Sequence, residues 1–269
     1  MSEPVALGIP GLTPPLQLHL HGAFDRVISQ TLRREGIWEP YETALLIASL
    51  EPGAVFLDVG ANIGYYSVIA ARVVGATGAV FAFEPEARNF GLLQANLELN
   101  GCQAIVHAHE AGLADRDSDA RLYLSEDNAG DHQVFAVSDK RAHCPIRLLN
   151  GTDYLTARLE RLDLIKVDVQ GAEYAVMVGL LKLLRSLGSA PRIIIELTPL
   201  SLRQCGASGR ALIELLAMFG LPMWVIDHIN HRLLPSNAEA LTLWCDDVDA
   251  RPGDAGFMNI LIGPRVPGH

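Results

Sequence analysis

Residues 55–84, VFLDVGANIGYYSVIAARVVGATGAVFAFE, constrain this chain more than any other stretch, because strand, glycine turn, helix and second strand follow one another directly. Val55, Phe56, Leu57 and Val59 form a short apolar run closed by one carboxylate, Asp58, and the pattern then turns helical. Gly60 and Gly64 flank Asn62, so the backbone can bend sharply and approach a ligand that a Cβ would push away. A helix over 65–74 ends at Gly75. The second strand, 79–83, finishes on Glu84, about twenty residues past the glycine turn, where a carboxylate can accept hydrogen bonds from a ribose diol. This predicts an α/β fold with a nucleoside cofactor at its first strand-to-helix turn.

The glycine spacing indicates which nucleoside. Dinucleotide folds pack their glycines so that a pyrophosphate lies on the helix N-terminus. Here the order is Asp58-x-Gly60-x-Asn62-x-Gly64, with a carboxylate before the first glycine. A carboxylate repels a pyrophosphate and attracts an ammonium. S-adenosylmethionine carries an ammonium, a sulfonium, a ribose diol and an adenine, and no phosphate. The glycines alone leave the cofactor open. Asp58 and Glu84 together, closing consecutive strands, favour the methyl donor over a nicotinamide dinucleotide.

The blocks FLDVGANIGYYS, FAFEPEARNFGLLQANLELNG, IKVDVQGAEYAVMVGL and IIIELTP, running from about Trp38 to about Pro199, resemble the successive blocks of the FkbM-type class I methyltransferases. The resemblance implies a Rossmann-like, doubly wound, mostly parallel seven-stranded sheet with an antiparallel last strand. It also implies S-adenosylmethionine as cofactor and O-methylation of a natural-product or sugar hydroxyl. Glu39 and Tyr41, in helices over the pocket, then reach the methionine end of the donor, unless Tyr41 only packs. Glu110 and Ala111 stand where this fold contacts adenine, unless Glu110 is a solvated loop acid. Gln170 departs from the family, which commonly has an acid there.

With 269 residues, the chain suffices for one large α/β domain. We expect an N-terminal cover over 1–50 and a cofactor-binding domain over 51–269, with a substrate-side insertion at 115–150. A net charge of −10 argues against a nucleic-acid surface. Cys102, Cys144, Cys205 and Cys245 lack metal-ligand spacing and read as reduced thiols. No signal peptide or membrane-length apolar run is visible, so the expectation is a cytoplasmic protein with no membrane partner and a small hydroxylated acceptor; a homodimer is left open.

In the N-terminal cover, Leu16, Leu18 and Leu20 alternate with His19 and His21, which puts the histidines on the exposed face of a strand. Within the insertion, His132 is the candidate general base, oriented by Asp131 or Asp127; the alternative is a surface-loop histidine. Strand 162–169 carries Lys166 and Asp168 on one side, and a lysine there is costly unless paired. Glu84, Asp58, Asp168 and Glu196 are expected to close four neighbouring strands at one edge. Asp58 and Glu84 hold the donor. Asp168, counted among both the cofactor and the catalytic residues, either orients substrate and His132 together with Glu196 or, less favoured, binds a divalent cation with it. Asp227-His228, also at a strand end, is a second candidate acid/base pair, ranked below His132. An N-methyltransferase, a nicotinamide oxidoreductase and a non-catalytic S-adenosylmethionine-binding protein are the rival readings.

Overall fold

The computed structural model describes residues 3–135 and 141–269; positions 136–140, inside the 115–150 insertion, lie outside the described residues. Eight strands form the central sheet: β1 Val55–Val59, β2 Ala79–Phe83, β3 Val106–His109, β4 Leu164–Val167, β5 Arg192–Leu197, β6 Met223–Asp227, β7 Arg232–Ser236 and β8 Met258–Ile262. Their spatial order is β7-β6-β8-β5-β4-β1-β2-β3. Neighbours from β3 through β5 pair in parallel, and β8 runs antiparallel between β5 and β6. The doubly wound reading and the antiparallel last strand hold.

The strand count differs from the expected seven because β7 folds back on β6 as a hairpin. Asp227 organises that turn. Its Oδ1 accepts from the backbone N–H groups of Ile229 and Asn230, and its Oδ2 from Asn230 Nδ2 and Arg232 Nε. The hydrogen bonds from Asn230 hold its carboxyl down at about 2. Asp227 is thus a turn residue and not half of an acid/base pair.

The central strands are apolar because both faces are covered. Phe56 belongs to one buried cluster with Leu45, Ile69 and Leu93, whereas Leu57 belongs to the other with Ile165, Leu180 and Ile195. Adjacent residues serve opposite faces, as the pleat requires.

Of the cover's helices Ile28–Glu35 and Pro40–Ser49, the second packs against helix Tyr65–Val74. The Trp38 backbone N–H donates to Tyr65 Oη at 3.1 Å, and Thr43 Oγ1 lies 3.0 Å from the same oxygen. Leu16, Leu18 and Leu20 are buried as expected, but His21 is buried too. Its Nε2 meets Asn89 Oδ1 at 2.7 Å, and that polar partner lets the ring leave solvent. The insertion forms a separate three-stranded sheet, with His143–Asn150 between Gly112–Ala114 and Ser118–Tyr123. Among the described residues no helix is long and apolar enough to cross a membrane.

Register fixes the ligand edge. Asp58 stands opposite Ala82 and Lys166, so the position level with Glu84 and Asp168 on β1 is two residues later, at Gly60. Gly60 has φ +88°, and a Cβ there would come within 2.0 Å of the Asp168 carbonyl oxygen. At Gly64, φ +86°, a Cβ would meet Leu93 Cδ1 at 2.5 Å. The turn is therefore tight against backbone on one side and core on the other. Gly60→Ala is expected to cost more than about 2 kcal/mol in a urea denaturation series. Gly91→Ala, in helix Ala87–Leu99 with open space around the site, should instead be neutral or add up to about 1 kcal/mol.

Candidate active site

Two cavities meet over the carboxyl ends of β1, β2 and β4. Counted out to bulk solvent, one is a slot of about 600 Å³ and the other a wider cleft of about 1800 Å³. Gly60, Asn62, Gly130, Asp168 and Gln170 line both and so form their junction.

Glu84 lies in the slot, among Pro85, Leu113, Leu122, Ile146 and Leu148. Its Oε2 accepts from the Asn62 N–H at 2.9 Å, and its Oε1 from the Glu86 N–H at 2.9 Å and Asn89 Nδ2 at 3.4 Å. Burial pushes its carboxyl up to about 7 against those hydrogen bonds. Three donors face about four acceptor sites on a carboxylate, so Oε2 can still accept from a vicinal diol. Asn62, with φ 50°, turns its N–H toward Glu84 and its side-chain amide toward the Ala129 carbonyl, which ties the glycine turn to the insertion.

Asp58 is a correction. It is 2% exposed, accepts from Ser67 Oγ at 2.6 Å and lines neither cavity, because it sits beneath Gly60. Burial raises its carboxyl to about 6, with the Ser67 hydroxyl and the Lys166 ammonium pulling the other way. Its local work is to anchor the first turn of helix Tyr65–Val74. Of the two strand-tip acids read from the sequence, only Glu84 faces a ligand space.

Glu110 and Ala111 also move out of the site. Glu110 is exposed and Ala111 packs in the core, whereas Gly112 and Leu113 line the slot. Pairing of Gly112 with Leu148 in the small sheet sets that face. Gly112 was the available signal, since a Cβ there would meet Leu148 Cδ2 at 2.7 Å.

His132 does not reach the wide cleft; it lines the slot. Its Nδ1 lies 3.0 Å from the Ser125 N–H and accepts from it, which assigns the neutral ring's proton to Nε2. Burial lowers its affinity for a second proton to about 4. A ring whose free lone pair is already engaged cannot take a proton from an acceptor. Asp131 pairs instead with Arg141 at 3.0 Å, and Asp127 accepts from Ser125 Oγ at 3.4 Å.

The cleft floor is a charge network. Lys166, 4% exposed, puts Nζ 3.0 Å from Asp168 Oδ2, 3.4 Å from Glu42 Oε1 and 4.7 Å from the Tyr66 ring centre. Burial opposes its charge, but Asp168, Glu42 and Glu39 outweigh that and keep it protonated. Gln170, at φ 52°, donates through Nε2 to both Asp168 Oδ1 and Glu196 Oε2, each at 2.8 Å. Glu39 lines the cleft and accepts from Tyr66 Oη at 2.8 Å; burial and then Glu42 raise its carboxyl to about 7. Tyr41 lies elsewhere, its ring stacked 5.6 Å from His231, because residues two apart across a helix start cannot share a face.

Metal ligation has two candidate donor sets. Glu39, Glu42 and His228 converge closely enough to share an ion. However, Glu42 already holds the Lys166 ammonium, and its Oε2 accepts from Asn259 Nδ2 at 2.6 Å. Asp168 and Glu196 are joined by the Gln170 amide. In the first set Glu42, and in the second Asp168, has both oxygens engaged by protein donors. The Glu42–Lys166 pair and the Gln170 bridge were not read from the sequence. The only signal for the first was a mid-strand lysine that required a partner.

The family described as the methyltransferase FkbM domain matches residues 58–220, more than half of the chain. The chain is 29% identical over 154 residues to Methyltransferase 1 of Beauveria bassiana, covering 50% of this chain and 61% of that protein, less than two thirds of its length. It is 26% identical over 202 residues to the hexuronic acid methyltransferase AglP of Haloferax volcanii, covering 72% of this chain and 78% of the relative. A similar solved structure is the precorrin-6Y C5,15-methyltransferase of Geobacter metallireducens GS-15, with a TM-score of 0.45, 16% identity, and coverage of 84% of this chain and 88% of that one.

Buried acids give the site a pH signature. Glu84 and Glu173, the latter accepting from the Gly171 and Val169 N–H groups, are both raised from 4.5 to about 7, chiefly by burial. Between those values the folded chain binds more protons than the unfolded one. The associated stability is fully present below the unfolded pKa and is lost as pH rises through about 7. The urea midpoint is expected to fall from about pH 5.5 to about pH 7.5, and less steeply in Glu84→Gln.

Proposed function

The chain belongs to the methyltransferase FkbM domain family, and from that premise we propose that it is an S-adenosylmethionine-dependent O-methyltransferase acting on a hydroxyl of a small natural product or sugar. The observation that carries the reading is the junction itself. An apolar slot with one diol-accepting carboxylate, Glu84, opens at Asp168 into a separate, wider cleft. The relative that acts on a hexuronic acid supports a sugar-like acceptor.

The slot fits the nucleoside by its donor set. Glu84 would accept from one ribose hydroxyl through Oε2, and Leu113, Leu122, Ile146 and Leu148 would enclose the adenine. Gly60 and Asn62 would bring backbone to the junction, where a Cβ at Gly60 has no room. When bound, S-adenosylmethionine supplies a methyl group on a cationic sulfur. At the junction, Asp168 would accept a hydrogen bond from the acceptor hydroxyl, held in place by Lys166 and Gln170. Asp168, to which that hydroxyl would donate, is then the cleft residue placed to take up its proton. Holding the hydroxyl in line and excluding water accounts for most of the barrier reduction expected of the protein.

Calorimetry with S-adenosylmethionine, S-adenosylhomocysteine and NAD tests the cofactor. Binding of the first two and not the third is expected, and the reverse would sink the proposal. Glu84→Ala should weaken S-adenosylhomocysteine binding by about ten- to a hundredfold, the range for losing a hydrogen bond to a charged group. With a labelled methyl donor, Asp168→Asn should lower kcat by about two orders of magnitude. His132→Ala should leave kcat within a few-fold and act on cofactor affinity alone.

A further inference from the structure

We infer that the acceptor is an amphipathic molecule without negative charge, its hydroxyl-bearing head on the acidic floor of the cleft and an apolar body against the cleft's rim. This rests on the methyltransferase reading and deepens it.

The rim is apolar and open. Phe257 is 62% exposed and Val27 37%, and both line the cleft beside the partly buried Ile28, Trp38 and Leu200. Large apolar side chains gathered at a cavity mouth usually mark a contact surface. The cleft's cavity volume of about 700 Å³ lies within the range of about 300 to about 1000 Å³ found for small-ligand sites.

The floor has the opposite character. Among the described residues it carries four carboxyl groups, on Glu39, Asp131, Asp168 and Glu196, against two cations, Lys166 and Arg141. Both cations are already neutralised within the protein. Lys166 lies between Asp168 and Glu42, and Arg141 donates to Asp131, the Gln133 side chain and the Leu124 carbonyl. Among the described residues, a carboxylate or phosphate on the acceptor would have to break one of these pairs or lie against Asp131 and Asp168 with their cations already engaged, and like charges across an interface are strongly disfavoured. Hydroxyls meet no such obstacle. Burial and then Asp168 raise the Glu196 carboxyl well above its ordinary range, so it can donate as well as accept.

The test uses the full chain saturated with S-adenosylhomocysteine and three matched probes: phenyl β-D-glucoside, methyl β-D-glucoside and phenyl β-D-glucuronide. By calorimetry, phenyl glucoside should bind about tenfold or more tightly than either of the others, since each lacks one of the two features. Phe257→Ser should reduce the phenyl advantage to a few-fold and leave methyl glucoside unchanged. Asp131→Asn should release Arg141 and bring the glucuronide within a few-fold of the glucoside. The inference is overturned if the glucuronide binds wild type as well as the glucoside, if the phenyl group confers no advantage, or if none of the three binds the loaded protein. Failure to take up S-adenosylhomocysteine at all is a separate outcome that removes the parent reading, and this inference with it.

Discussion

The buried ammonium of Lys166 is the interaction on which the rest of the cleft depends. It sits on the central strand β4 with Glu42 of the N-terminal cover on one side and Asp168 of the cleft on the other. Glu42 in turn holds Asn259 of β8, so one cation joins cover, sheet and last strand. Burying such charges is expensive, and removing one partner of a buried pair typically costs about 3–5 kcal/mol. The arrangement is therefore weak as a source of net stability. What it does supply is position: Asp168 is held at the junction by Lys166 on one carboxylate oxygen and by the Gln170 amide on the other.

The parts of this architecture set by local physics were legible. Strand, glycine turn, helix and strand over residues 55–84 follow from apolar runs and two glycines, and the parallel order follows from their succession. The place of Glu84 at a strand end, beside the slot, was legible because it follows the apolar run of β2 and immediately precedes Pro85. Asp58 was misread because register along a strand is invisible in its sequence. A shift of two residues puts Gly60, and not the acid, at the ligand level. His132 and Tyr41 were misread for a related reason, since each is governed by a partner that only the folded chain brings near. Ser125 engages the imidazole, and His231 receives the tyrosine ring. Lys166 announced that it needed partners, but Glu42 lies more than a hundred positions earlier.

The position of Asp58 changes the physical argument for the cofactor. A pair of strand-tip carboxylates contacting a cationic nucleoside is not what the fold builds. The carboxyl groups that do line the two cavities are Glu84, in the apolar slot, and the acids beyond the junction. A pyrophosphate there would meet Asp168 and the Glu196 carboxyl with the nearby cations already taken. The reasoning from charge survives, but on different residues.

Gln170 explains how such an acidic edge holds together. With an acid at that position, three carboxyl groups would converge and either share protons or demand a cation. The amide of Gln170 donates to Asp168 and to Glu196, and the left-handed backbone at φ 52° is what points it there. Burial does the remaining work by keeping Glu196 and, near neutrality, part of Glu39 protonated. The charge of the floor is then not a constant of the fold. A cation seated at the junction favours ionised carboxyls, and an empty or neutral junction favours their protonated forms. The same few residues can therefore present acceptors to a positively charged donor and a mixture of donors and acceptors to a neutral hydroxylated partner.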